Sequence, residues 1–449
     1  MSDRGPVAVG DGHDEFARRH FLRNAGMLAL ENSVFVAAIA FVNTSTVLPT
    51  FVTRLGGSAF LVGLIATCQN AGWLLPQLVG ARICAGKPRI MRYLLIPILV
   101  GRPAYLVLAG LALLLGAAHP GLLLAALYGA LLVFYATDGL ASVPWFELVA
   151  KAVPPDRRGR MFGIAQIGGG LAGMGVGAVV AVVLADPSLP FPSNYGLLFA
   201  VASGIFLLNV LPFLFMKEPV HAAVGAPEAA ENTAPASDAP KRPGFASALL
   251  RAVREDGNFL RLIAVRLLFG TAMAVFPFYI LFMDRTLSVS AETLGLFTSA
   301  QVFGGLAGGL IIGWIADRLG TRTVIRVSSV IGVAIPGLGL LMILCGSVPS
   351  VTLLAPGVVL FVIMGFVSST NLIGFMNYLM ETAPRDRRTE YIGMFNTVAG
   401  ALMVVPPLAG LLLEAVSFGP LFILAAAAGL GSLLLSLGLR KPVRTRRAG

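Results

Sequence analysis

Twelve apolar runs of about 20 residues or more divide this chain, and a run of that length crosses a bilayer as a helix. They cover roughly 26–52, 60–81, 91–116, 121–147, 161–185, 196–216, 260–283, 293–316, 324–346, 353–380, 391–415 and 419–439. Inside hydrocarbon each backbone N–H and C=O must pair within the protein, so long apolar runs are committed to helix. Only 12% of the 449 residues are charged and 57% are hydrophobic, about half the charged fraction of a soluble chain. The chain reads as an all-α integral membrane protein.

Charge placement sets the predicted topology. Of the 33 Lys and Arg residues, 29 fall in the two tails and in every second segment between runs. That alternation is the positive-inside pattern, and it places both termini in the cytoplasm of a multi-pass protein of the plasma (inner) membrane. The net charge of +11 is spread along the chain rather than gathered on one face, so nucleic acid is set aside as a partner. Cys68, Cys84 and Cys345 lie in or beside apolar runs without metal-ligand spacing, and an odd count offers no disulfide framework. The polar N-terminal segment has no short apolar core with a cleavage-like site, so no signal peptide is expected. No metal or cofactor is expected either. A monomer embedded in lipid is the expected state.

The expected organisation is a cytoplasmic tail (1–25), a six-helix half (26–216), a cytoplasmic linker (217–258), a second six-helix half (259–439) and a basic tail (440–449). Ala, Pro, Glu and Ser dominate from His221 to Pro240, a composition that cannot bury a core. The halves repeat. Val143–Gly163 aligns without a gap on Ile373–Gly393, bringing Asp156-Arg157-Arg158 onto Asp386-Arg387-Arg388. Gly63-Leu64 through Gln69 matches Gly295-Leu296 through Gln301 at nearly the same offset.

Between the eighth and ninth runs stands Gly313-Trp314-Ile315-Ala316-Asp317-Arg318-Leu319-Gly320-Thr321-Arg322. This stretch resembles the signature loop of the major facilitator superfamily, G-x-L-A-D-R-x-G-R-K. Gly313, Asp317, Arg318, Gly320 and Arg322 hold its main positions, with Thr321 where a base is usual. The resemblance covers about Gly26 to Leu439. It implies a twelve-helix facilitator (MFS) fold of two pseudo-symmetric six-helix halves, a cavity lined by helices 1, 4, 7 and 10, and transport by alternating access. It also implies a conformational role for the loop, in which Asp317 would tie to the loop carrying Arg387 and Arg388. The first-half copy departs from the pattern: it reads Gly80-Ala81-Arg82-Ile83-Cys84-Ala85-Gly86-Lys87-Pro88-Arg89, with cysteine at the aspartate position.

An ionisable residue inside the membrane is costly and is therefore a functional candidate. The four histidines lie outside the runs, leaving Glu31, Arg102, Asp138 and Arg266. Asp138 shares a stripe of the fourth helix with Tyr128, Tyr135, Ser142 and Trp145. The repeat places Asp138 on Ser368, whose own stripe runs through Asn371, Phe375 and Tyr378. These stripes either line a solute cavity or pack helices. For the aromatics packing is the simpler account, and for Asp138 function is. Arg102 and Asp138 sit at similar predicted depth, about 13–17 Å from the cytoplasmic end of their helices. They form either a fixed ion pair or a proton-coupling pair. Glu31 and Arg266 enter a turn or two from the cytoplasm, where a side chain either snorkels to the interface or closes an inner gate. Asn43 and Thr46 share a face near the middle of the first helix, and Asn43 is the candidate solute contact there.

The combined reading is a secondary transporter of a small organic solute, coupled to protons and working as an exporter by antiport. The apolar, aromatic cavity residues and a glycine-rich fifth helix favour export, although the proline of the family's proton-driven exporters is missing from that helix. Nutrient uptake by symport is the alternative. A membrane-embedded enzyme or receptor is a third class, but no His-Asp, Cys-His or metal-ligand cluster supports catalysis, so the chain is not read as an enzyme. The topology is testable. Fluorescent-protein fusions at Met1 and Gly449 are expected to glow in the cytoplasm, and a phosphatase fusion after Ser347 to be active outside. A C-terminus facing outward would overturn the count of twelve spans.

Overall fold

A computed structural model describes residues 16, 18–154, 156–218, 245–345, 350–368, 370–384 and 387–442. Among them are twelve helices long and apolar enough to cross a membrane, and no strand. They are α1 (Phe21–Phe41), α2 (Ala59–Cys84), α3 (Met91–Ala118), α4 (Pro120–Ala152), α5 (Arg158–Ala185) and α6 (Ser193–Phe215). The second six are α7 (Gly257–Thr286), α8 (Ala291–Leu319), α9 (Thr321–Leu344), α10 (Leu354–Thr382), α11 (Glu390–Ala415) and α12 (Phe418–Leu437). The central linker between Glu218 and Phe245 and the basic residues after Pro442 lie outside the described residues, as do Arg385 and Asp386.

The first apolar run is not one helix. α1 stops at Phe41 and a short helix, Val47–Arg54, continues after a break. Asn43 makes the break tolerable. Its Oδ1 accepts from the N–H groups of Ser45 (2.8 Å) and Thr46 (3.0 Å), as a helix N-cap does.

The described residues group into two compact units. The first takes those within Met1–Val42, Cys68–Val176 and Asp186–Pro240, the second those within Asn43–Thr67, Gly177–Ala185 and Lys241–Gly449. The grouping follows the sequence halves except for the segment after α1, the start of α2 and the end of α5. These segments pack within the second unit. Asn43 Nδ2 donates to Gln301 on α8 (2.9 Å), the Thr46 and Thr298 hydroxyls pair at 2.8 Å, and Phe60 N–H donates to the Glu414 carboxylate (2.8 Å).

Each unit closes on itself through one buried asparagine. At the start of α1, Asn24 donates to the Lys217 carbonyl and accepts from the Lys217 N–H, both at 3.1 Å, pinning the end of α6. At the start of α7, Asn258 accepts from the Tyr378 hydroxyl (3.0 Å) and the Arg440 N–H (2.9 Å), pinning the end of α12. A side-chain amide suits both places because it satisfies the backbone of a helix end that has run out of intrahelical partners.

In the second unit α8 and α10 meet backbone to backbone. A side chain at Gly304 would strike the Val362 carbonyl, one at Gly308 the Phe366 carbonyl, and one at Gly365 the Gln301 carbonyl. Small residues at such crossings are how membrane helices gain packing where lipid is as apolar as the helices themselves. The α5 glycines act likewise within each unit: Gly169 lies against Ser33 and Val36 of α1, and Gly177 against Gly295 and Ser299 of α8.

Replacing Asn24 or Asn258 by alanine removes two hydrogen bonds at a partly buried helix end and is expected to cost about 1–3 kcal/mol. Thermal unfolding of the purified variants in detergent measures this. Unchanged midpoints for both would show that the amides do not hold the units closed.

Candidate functional site

The site in the first unit begins with an interruption in α3. Pro103 has no N–H to give to the preceding turn, and the helix breaks into Met91–Gly101 and Ala104–Leu115 around Arg102. The Ser203 hydroxyl of α6 donates to the Arg102 carbonyl (2.7 Å), repairing one of the backbone groups the break exposes. The Arg102 side chain is 4% exposed. Its guanidinium lies over the rings of Phe35 (4.9 Å), Phe206 (4.9 Å) and Phe134 (5.8 Å), a setting that holds the group by cation–π attraction. Its Nη1 is buried and has no hydrogen-bond partner.

Two carboxylates share this neighbourhood. Glu31 of α1 is also 4% exposed; its Oε2 accepts from the Trp145 indole (2.9 Å) and its Oε1 from the Asn209 amide (3.1 Å). The expectation that Glu31 could snorkel to the interface is therefore corrected: fixed donors on α4 and α6 hold it inside. Asp138 of α4 is hydrogen-bonded by Trp73 of α2. Both acids interact electrostatically with Arg102, yet no ion pair within 4.0 Å among the described residues involves any of the three. Instead they line one cavity of about 170 Å³, with Trp73, Ser142 and Trp145 among the other residues of its wall.

The remaining candidates fall into three groups. Of the Asp138 stripe, Ser142 and Trp145 share its cavity wall, and the Ser142 hydroxyl donates back to Gly139 O (2.8 Å). Tyr128 and Tyr135 are not in that wall; Tyr135 is buried against Phe134, with ring centroids 5.3 Å apart, and its hydroxyl has no partner. Asn43 and Thr46 are committed within the second unit, where they cap the helix break and bond to α8.

In the second unit Phe375 is fully buried, tilted against Phe269 (ring centroids 5.4 Å apart) and beneath the Arg266 guanidinium (5.4 Å). Arg266 Nε is buried without a partner. Tyr378 serves the Asn258 clasp, and the Ser368 hydroxyl donates to Gly365 O (2.6 Å). Asn371 opens a π-helical turn, Asn371–Met376, in α10, and its side chain lies outside the described residues. Such turns collect at functional positions because they break helical register locally.

At the loop between α8 and α9, Gly320 has φ +89°, a conformation only glycine adopts without strain. Close helix approach is not what Gly313 provides: nothing lies within 4 Å of where its side chain would be. Thr321 donates to Glu381 (2.6 Å), and Arg322 and Arg326 both donate to the Leu437 carbonyl (3.0 and 2.9 Å). Asp317 and Arg318 also have interaction partners. Arg387 bonds Glu255 and Glu390 at 3.0 Å each, and those hydrogen bonds, from Glu390 first, push its pKa above the ordinary value. Arg388 begins the helix that follows and is exposed. In the first-half loop Gly86 (φ +68°) makes the turn, and Glu218 accepts from Ile90 and Met91 at the start of α3.

Sequence reasoning missed Trp73 and Asn209 as the donors that hold the two acids. An amide near the end of the sixth apolar run was the available signal for Asn209. Among the described residues no group of three or more His, Cys, Asp or Glu is placed to hold a metal ion.

A family model described as Major Facilitator Superfamily matches residues 30–283 and 262–449. No curated protein matches the sequence. Among solved structures, the chain is similar to a mutant of the nucleoside transporter NupG, with TM-score 0.66, 13% identity and coverage of 93% of this chain and 100% of that one. It is similar to a bacterial homologue of the iron transporter ferroportin in an inward-facing state (TM-score 0.64, 14% identity, 93% and 98% covered). It is also similar to a D-xylose-proton symporter (TM-score 0.62, 15% identity, 96% and 98% covered). At these identities the likeness is one of fold.

Trp145→Phe keeps the ring but removes the donor to buried Glu31. It is expected to lower stability by about 1–3 kcal/mol, the cost of an unsatisfied buried acceptor. Thermal unfolding in detergent reads this, and an unchanged midpoint would show that the indole contact contributes nothing.

Proposed function

This chain belongs to the major facilitator superfamily and moves some solute across a membrane, and we propose that it does so as a proton-coupled exporter working by antiport. The observation that carries the reading is the meeting of Glu31 and Asp138, from two different helices, with Arg102 in the wall of one cavity. A carboxylate in such a place binds and releases a proton as its surroundings exchange water for protein. When proton and solute compete for the same acids, occupancy by one expels the other, and exchange follows without a further gate. The apolar and aromatic share of the wall, Phe35, Leu94, Ile98 and Phe146 among it, supports an organic solute.

In this reading the loop around Asp317, Gly320 and Arg322 serves the conformational change, as do Arg266, Arg387 and Arg388. Both termini lie in the cytoplasm and the chain acts as a monomer in the plasma membrane.

Energised everted vesicles with an acid-sensing dye test the mechanism. Adding an exported solute is expected to release lumenal protons, with Asp138→Asn slowing that release about tenfold or more and Glu31→Gln slowing it as well. Solute-driven alkalinisation of the medium around intact cells, with no response in everted vesicles, would instead show symport. Proton release unchanged in Asp138→Asn would remove that residue from coupling.

A further inference from the structure

The cavity of the first unit holds opposite charges that do not neutralise one another. A structural ion pair would have its guanidinium and carboxylate in contact, because a buried charge left apart from its partner is costly. Here Glu31 is satisfied by Trp145 and Asn209, Asp138 by Trp73, and Arg102 is clamped among three phenylalanine rings. Stacking engages the faces of a guanidinium and leaves its edge, where the N–H groups point, for hydrogen bonds. On that edge Nη1 is buried and unpartnered. An orphaned donor on a charged group is among the most costly polar defects a buried site can carry, and this one belongs to a residue of the cavity wall.

The ligand that answers this wall must bring an acceptor to Arg102. An ordinary organic anion would do so but would face two carboxylates, Glu31 and Asp138, across a small space. An ordinary cation would suit the acids and the Trp73 and Trp145 rings, yet leave Arg102 unanswered and repelled. We propose that the cavity takes a small dipolar ion, a solute with an anionic group such as a carboxylate on the Arg102 guanidinium and an ammonium group facing Asp138 and Glu31. Its apolar part lies against Phe35 and Phe146. At about 170 Å³ the space fits a solute of amino-acid size and is below the usual range for drug-sized ligands. The proposal rests on the reading of this cavity as the solute site, and it gives that solute a chemical class.

The chain has three tryptophans, and two of them, Trp73 and Trp145, line the cavity, so intrinsic fluorescence reports occupancy. Purified full-length protein would be titrated with leucine, phenylalanine and glycine betaine. Each would be compared with singly charged relatives: the methyl esters of the two amino acids and choline as cations, and the N-acetyl amino acids as anions. At least one dipolar ion is expected to change the signal saturably, with its singly charged relatives binding about tenfold more weakly or worse, the value of one charge-assisted hydrogen bond.

Arg102→Gln is expected to weaken the dipolar ion by about that factor while leaving the cationic relative bound at least as tightly as before. Arg102→Lys keeps the charge and is expected to retain part of the affinity, which separates a lost ligand contact from a misfolded variant. Cationic or anionic relatives that bind as well as the dipolar parents would overturn the proposal, and so would the absence of binding by every dipolar ion. The two readings fail separately. A singly charged solute that drives Asp138-dependent proton release refutes the dipolar ligand and keeps antiport. A dipolar ion bound through Arg102 that moves no protons keeps the ligand class and refutes antiport.

Discussion

A backbone amide inside a bilayer has no water to turn to, and this one constraint orders the structure. It makes helices of the apolar runs, and it fixes what must happen wherever a helix is interrupted. At the break after α1 the Asn43 side chain supplies the acceptor that the missing turn would have offered. At the break in α3 the Ser203 hydroxyl does the equivalent for the Arg102 carbonyl. At the helix ends Asn24 and Asn258 do the same for α6 and α12. Polar side chains in this protein are therefore of two kinds, those that serve the backbone and those that do not. Among the described membrane-spanning residues Glu31, Arg102, Asp138 and Arg266 stand out in the second kind.

The same sorting explains what could be read from the sequence. The twelve spans follow from length and hydropathy alone, since nothing else in the bilayer competes with helix. The Gly320 turn was legible because φ +89° demands glycine and the motif places one there. The Asp138 stripe with Ser142 and Trp145 was legible because helical spacing brings residues three and four apart onto one face. Partners between helices were not legible. Trp145 and Asn209 lie 114 and 178 residues from Glu31, and no local pattern states that they will meet. Without them Glu31 looks like a residue near an interface that would reach for water.

Asn43 shows the opposite error. Alone in a hydrophobic run it resembles a solute ligand, because an amide there needs a reason. The reason is the interrupted helix itself, and the interruption is invisible in hydropathy. The paired clasps at Asn24 and Asn258 were also hidden, although they occupy equivalent places in the two halves. A repeat alignment compares residues with residues, whereas these asparagines are alike in what they hold, the end of the sixth helix of each half.

The contact between α8 and α10 has a mechanical consequence. Where Gly304, Gly308 and Gly365 set one backbone against another, no layer of side chains remains to slide, change rotamer or absorb shear. The two helices can be displaced only together, as a single stiff strut. Any bending the second unit undergoes is then concentrated where regular hydrogen bonding already lapses, and in α10 that is the π-helical turn at Asn371–Met376.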